Sequence, residues 1–183
     1  MNPIRWELDE RAVIRTFTPD DADTLFALVE ANRDRLEPWM PWAPVTRSPD
    51  DVRRFIERSL ASEHDLEGNG IWVDGMVAGA TGMSVNTLND SGSIGYWIGR
   101  EHEGKGIVTR GARRFVEVGF EELGLHRISI SAAVGNARSR AVAERLGFRQ
   151  EAILRGADKT SSGYLDMVVY AMLRDEWLEL TTP

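Results

Sequence analysis

The residues from Gly99 to Thr109, Gly-Arg-Glu-His-Glu-Gly-Lys-Gly-Ile-Val-Thr, have the types and spacing of an anion cradle. Gly104 and Gly106 let the main chain approach a ligand. The helix that follows would turn its unbonded N–H groups and the positive end of its dipole toward a phosphate. Two versions of such a loop fit poorly. Gly99 to Lys105 spells G-x-x-x-x-G-K, but Gly106 stands where a Ser or Thr would hold magnesium. The next strand candidate, Arg127 to Ala133, brings no aspartate as a second metal anchor. A dinucleotide fingerprint would need its third glycine where this chain has Thr109. Taken alone, the loop also reads as a plain β-to-α turn.

The rest of the reactive inventory is sparse. With no cysteine among 183 residues, a thiolate metal site, a disulfide and an acyl-cysteine intermediate are all excluded. His64, His102 and His126 are scattered and form no ligand constellation, so no metal is expected. The net charge of -7 argues against a nucleic-acid surface. Its distribution is uneven: acidic residues outnumber basic ones from Asp20 to Glu67, whereas Arg110, Arg113, Arg114, Arg138, Arg140 and Arg145 enrich the part that contains the glycine loop. This pattern would suit a cationic acceptor on one side and an anionic coenzyme on the other.

These residues need elements to position them. Ile94, Tyr96, Trp97 and Ile98 favour a strand leading into the loop. Ala12 to Phe17 reads as a first strand, and Thr18-Pro19 and Ser48-Pro49 each open a helix by the cap-then-proline signal. Between those helices Leu36-Glu37-Pro38-Trp39-Met40-Pro41-Trp42 reads as a loop, broken by its prolines. Asp74-Gly75 predicts a hairpin between Ile71 to Val73 and Met76 onward, continuing to Val85. Asn89 to Gly92 then turns the chain into the Ile94 strand. Gly111 to Leu123 reads as a helix, Asn136 can cap another, and a strand pair around Ala152 and Val168 to Tyr170 ends the series. The chain is long enough for one domain, taken as 1–183, with no apolar run that spans a membrane and no signal-peptide order. A cytoplasmic location is therefore expected.

The loop, with Glu101 in the Gln/Arg position of [Q/R]-x-x-G-x-[G/A], is followed by Gly124 to Arg127, Asn136-Ala137-Arg138-Ser139 and Leu146-Gly147-Phe148. The series resembles the GNAT superfamily of acyl-CoA-dependent N-acyltransferases. Within it, the chain is similar to the RimJ/RimL group, whose members acetylate protein N-termini, including those of ribosomal proteins. The likeness runs from Val13 to Trp177. It implies an α/β fold with a mixed, mostly antiparallel central sheet flanked by helices, splayed between the strands near 94–99 and 127–133. It also implies acetyl-CoA as acyl donor, with Trp97, Ile98, Glu103, Gly104, Lys105, Gly106, Ile107, Val108, Asn136 and Ser139 at the coenzyme.

Roles follow from the same resemblance. The Ile98 N–H would bond the carbonyl oxygen on which charge develops. Many superfamily members protonate the departing thiolate with a tyrosine of Y-x-x-L-G-F, but here Ala143 holds that place. Ser139 lies four residues earlier, on the same helix face, and the group has a serine in that role. Asp158 occupies the position of the group's glutamate base, one methylene shorter, which suggests a bridging water. Trp39, Trp42, Asp158 and Tyr164 would meet the acceptor, while Asp166 would anchor a strand end. The acceptor is a peptide, a protein N-terminus or a small-molecule amine. A coenzyme-binding sensor or interaction module is the alternative outside enzymes, and a homodimer is compatible with the resemblance. Calorimetry should show acetyl-CoA binding with unchanged affinity after exhaustive chelation; a metal requirement would remove this reading of the loop.

Overall fold

The computed structural model describes residues 3–62 and 65–181, so His64 lies outside the described residues. Eight strands form one sheet in the order β1-β2-β3-β4-β5-β6-β8-β7. They are β1 (Arg5–Glu7), β2 (Ala12–Thr16), β3 (Leu66–Val73), β4 (Met76–Asn86), β5 (Ser91–Ile98), β6 (Arg127–Ala133), β7 (Arg149–Thr160) and β8 (Gly163–Leu173). Every neighbouring pair is antiparallel except β5 and β6. The helices are α1 (Ala22–Ala31), α2 (Arg33–Leu36), α3 (Pro49–Ala61), α4 (Ile107–Glu117), α5 (Ala137–Arg145) and α6 (Arg174–Thr181).

Local chemistry explains several boundaries. Ser48 Oγ accepts the Asp51 N–H at 3.3 Å and starts α3, and Asn136 Oδ1 accepts the Ser139 N–H at 3.1 Å and starts α5. Asp74 and Gly75 both take positive φ, 50° and 79°, the pair of values a two-residue hairpin turn demands. The Thr18 signal begins with a short 3-10 turn at Pro19–Asp21 before α1, and the Asp21 carboxylate accepts the Thr18 N–H at 2.8 Å. The predicted helix from Gly111 to Leu123 instead starts at Ile107 and ends in a π-turn over Val118–Glu122.

Strand alternation divides the core. Ile14, Ile71 and Val73 face a cluster with Phe115 of α4 and Val142 of α5, whereas Trp72 and Phe17 face Leu25 of α1 and Val52 and Ile56 of α3. Helices thus cover both sheet faces. On the second face the Arg15 guanidinium lies 3.6 Å over the Trp72 ring and pairs with Asp21 at 2.8 Å. Among the described residues no helix is long and apolar enough to cross a membrane.

The β5–β6 ladder is brief. It pairs Ser91 to Ser93 with Arg127 to Ser129 and then stops, although both strands continue. β5 keeps its antiparallel partner β4 to Ile98, and β6 keeps β8 to Ala133. This is the splay expected between 94–99 and 127–133. Phe115, fully buried at 0% exposure and meeting the Trp6 edge at 5.1 Å, fixes α4 beneath the sheet. Phe115→Ala should therefore lower the unfolding free energy by about 3–5 kcal/mol in denaturant titration.

Candidate active site

The parted strands open a cleft of about 840 Å³. It collects Trp39, Trp42, Trp97, Asn136, Ser139 and Asp158 from four segments of the chain. Adjacent residues of β5 point to opposite faces, so Trp97 and Tyr96 address the two sides separately. Trp97 meets Trp42 with ring centroids 5.9 Å apart, on the side of α1 and the proline-broken loop. Trp39 reaches toward the turn before α5, where a Cβ added at Gly135 would meet its ring at 3.4 Å. Tyr96 packs against the opposite cluster, and its hydroxyl donates to the Ser139 carbonyl oxygen at 3.1 Å. Burial raises the Tyr96 pKa, and the hydrogen bond with Ser139 offsets part of that rise.

The edge of β5 supplies main-chain donors. The Gly99 N–H bonds Ala78 O of β4 at 2.7 Å. By alternation the N–H groups of Ile98 and Tyr96 therefore face away from β4, into the gap. The Ile98 side chain packs against the core, leaving only its amide for chemistry.

Asp158 comes to the cleft through a register shift in β7 between Leu154 and Asp158. The Asp166 carboxylate pins that irregularity by accepting the Gly156 N–H at 2.8 Å, and Gly156 has a φ of 56°. The shift leaves Asp158 half-buried and paired with Leu165, on the face shared by the cleft residue Met167. Tyr164 takes the other face by strand alternation. It is 70% exposed and does not line the cleft, in contrast to the expectation that it meets the acceptor.

Beyond β5 the glycine loop leads into α4. Gly104 and Gly106 both have φ of 71°, a left-handed conformation that a side chain disfavours. The amides from Gly104 to Thr109 find no protein acceptor among the described residues, those of Ile107 to Thr109 because they form the first turn of α4. This row of donors fits a pyrophosphate. The Ile107 side chain is buried and that of Val108 packs against the core, which leaves their amides as the groups a ligand could meet. Lys105 is exposed, and its carbonyl oxygen accepts Arg110 at 3.2 Å. Glu103 is held between Arg35 of α2 and Arg138 of α5, the latter at 2.5 Å. Its carboxylate is thus occupied by protein in this structure.

The charge pattern is more mixed than a simple division into acidic and basic halves. Asp51, Glu67 and Asp158 line the cleft together with Arg54 and Arg58, and Asp51 is engaged by Arg54 and Ser48. Among the described residues no group of three or more His, Cys, Asp or Glu side chains converges.

The family profile described as an acetyltransferase (GNAT) domain matches residues 11–149. The chain belongs to the GNAT acetyltransferase family. A GNAT relative from Bacillus subtilis, the putative ribosomal N-acetyltransferase YdaF, is 38% identical over 93% of this chain and 96% of its own length. The structure of RimL, described as a ribosomal α-N-protein acetyltransferase in complex with coenzyme A, superposes with a TM-score of 0.89 at 21% identity. That match covers 94% of this chain and 99% of RimL, and shows the shared GNAT fold. A microcin self-immunity acetyltransferase, solved with acetyl-CoA and AMP, gives a TM-score of 0.84 at 26% identity, covering 91% and 94% of the two chains.

Within this GNAT site Tyr96 has no counterpart among the sequence-based candidates. It sat in an apolar strand, Ile94 to Ile98, and nothing local tied its hydroxyl to Ser139, 43 residues away. The loop itself can be probed directly. At Gly106 a β-branched side chain meets both a positive φ and Arg110 Nη1, 3.1 Å from an added Cβ. Gly106→Val should weaken acetyl-CoA binding in calorimetry while circular dichroism shows the fold intact; equal affinity would remove the loop from the coenzyme site.

Proposed function

We propose that this GNAT enzyme transfers an acetyl group from acetyl-CoA to the α-amine of a peptide or protein N-terminus, by direct attack within a ternary complex. The observation that carries this reading is the single cleft at the β5–β6 split. It has three tryptophans, a half-buried carboxylate, Asn136 and Ser139 in its lining, and the glycine loop and α4 follow directly from the end of β5. The amides of Gly104 to Val108 would hold the pyrophosphate, and Asn136 would hold the pantetheine in addition to capping α5. Trp39, Trp42 and Trp97 would grip the acceptor and exclude water.

The chemistry divides among three groups. The Ile98 N–H donates to the thioester oxygen as negative charge builds there, a contact that is strongest in the transition state. Asp158 accepts the amine's proton, through a water where the shorter side chain falls short. Ser139 gives its hydroxyl proton to sulfur as the thiolate leaves. With no cysteine in the chain, no acyl-cysteine intermediate can intervene.

The names of relatives such as YdaF, a putative ribosomal N-acetyltransferase, support a protein acceptor. An α-amine has a pKa of ~7.7–8.0 against ~10.4 for lysine, so near neutral pH a larger fraction is already neutral and a short carboxylate suffices. Two matched peptides decide the acceptor class: one with a free N-terminus and no lysine, the other N-terminally blocked with an internal lysine. The free N-terminal peptide should react far faster. Preference for the blocked peptide would overturn the α-amine assignment, and reaction of small amines alone would move the enzyme to small-molecule acceptors.

A further inference from the structure

Tyr96 leaves β5 on the side opposite Trp97 and reaches the first turn of α5. Its hydroxyl donates to the Ser139 carbonyl oxygen at 3.1 Å and accepts from Ser139 Oγ at 3.3 Å. Two oxygens of one residue are therefore within reach of the same phenol. The serine is half-buried in the cleft wall, and its amide is fixed by Asn136, so Tyr96 and Asn136 together orient the residue.

The contact matters because a serine hydroxyl is a much weaker acid than a phenol, whose pKa is ~10, or a thiol, at ~8.5. When Ser139 releases a proton, charge grows on Oγ, and in a poorly hydrated site a charged oxygen without a donor is costly. A small rotation about the Tyr96 C–O bond would redirect the phenol proton from the carbonyl oxygen to Oγ. No rearrangement of β5 or α5 is needed.

We propose that Tyr96 is the positioning residue for Ser139, holding its hydroxyl in the resting enzyme and replacing the proton that Ser139 gives to the leaving sulfur. This rests on the assignment of Ser139 as the acid. In the step, the C–S bond of the tetrahedral adduct breaks with its electron pair on sulfur. The S–H bond forms with the Ser139 proton, and Oγ–H is restored by the Tyr96 proton. The phenolate that remains is reprotonated by water after the products leave, while the amine's proton departs separately through Asp158.

Single-turnover acetylation of a free N-terminal peptide by wild type, Tyr96→Phe, Ser139→Ala and the double variant tests the relay. Each single variant should lower the rate constant by about 100-fold. Acetyl-CoA affinity should stay within about twofold of wild type. The double variant should be no slower than the slower single variant, because both changes break one pathway. Multiplying losses, or a normal rate for Tyr96→Phe beside a slow Ser139→Ala, would overturn the role of Tyr96 alone. A normal rate for Ser139→Ala would instead overturn the Ser139 assignment and this inference with it. Weakened coenzyme binding at an unchanged rate constant would reduce Tyr96 to a tether for α5. If Tyr96→Phe fails to fold, difluorotyrosine at position 96 keeps the hydroxyl and lowers its pKa. The high-pH limb of the rate should then move to lower pH, and an unmoved limb overturns the relay.

Discussion

The end of the β5–β6 ladder at Ser93 and Ser129 is the constraint on which the site depends. A sheet whose strands stay paired is closed to ligands, because its main-chain donors and acceptors satisfy one another. Here both strands remain anchored on their outer sides, β5 to β4 and β6 to β8, while the inner edges part. The sheet keeps its core and still exposes a short row of main-chain donors. The split also joins the two faces, so residues that alternation would keep apart, such as Trp97 and Tyr96, border one cleft.

Around that opening the tryptophan-bearing wall and the glycine loop are joined by polar contacts. Glu103 bridges Arg35 of α2 and Arg138 of α5. Asn32, at the end of α1, accepts the Arg100 N–H at 2.9 Å, and the Arg100 side chain reaches Asp34 at 3.1 Å. The Arg35–Glu103 pair is largely shielded, with side-chain exposures of 30% and 27%, whereas Arg138, Arg100 and Asp34 are well exposed and their pairs contribute little to stability. What the network supplies is register: α2 and the tryptophan loop are set relative to the start of α4.

Elements with local causes were legible residue by residue. Asp74-Gly75 marks its hairpin because few other dipeptides tolerate two positive φ values, and Ser48 and Asn136 mark helix starts because their side chains satisfy amides three residues on. β1 was not legible: its three residues are strand only through pairing with β2. The short α2 before the tryptophans, the π-turn after α4 and the terminal α6 likewise follow from packing. Trp177 of α6, for example, stacks on Phe120 at 6.2 Å.

By itself the sequence determined the glycine loop between β5 and α4, the absence of thiol chemistry, the order of β2 to β8 with α1, α3, α4 and α5 between them and, through its resemblance, the splayed sheet. Those features depend on residue type and on spacings of a few positions, which the chain carries wherever it folds. Only the tertiary structure decided which side chains share the cleft. A register shift in β7 turns Asp158 inward while regular alternation in β8 turns Tyr164 outward, and crossing from β5 to α5 brings the Tyr96 hydroxyl to Ser139. Such contacts join residues tens of positions apart, so their geometry is set by sheet register and helix packing, which no local pattern specifies.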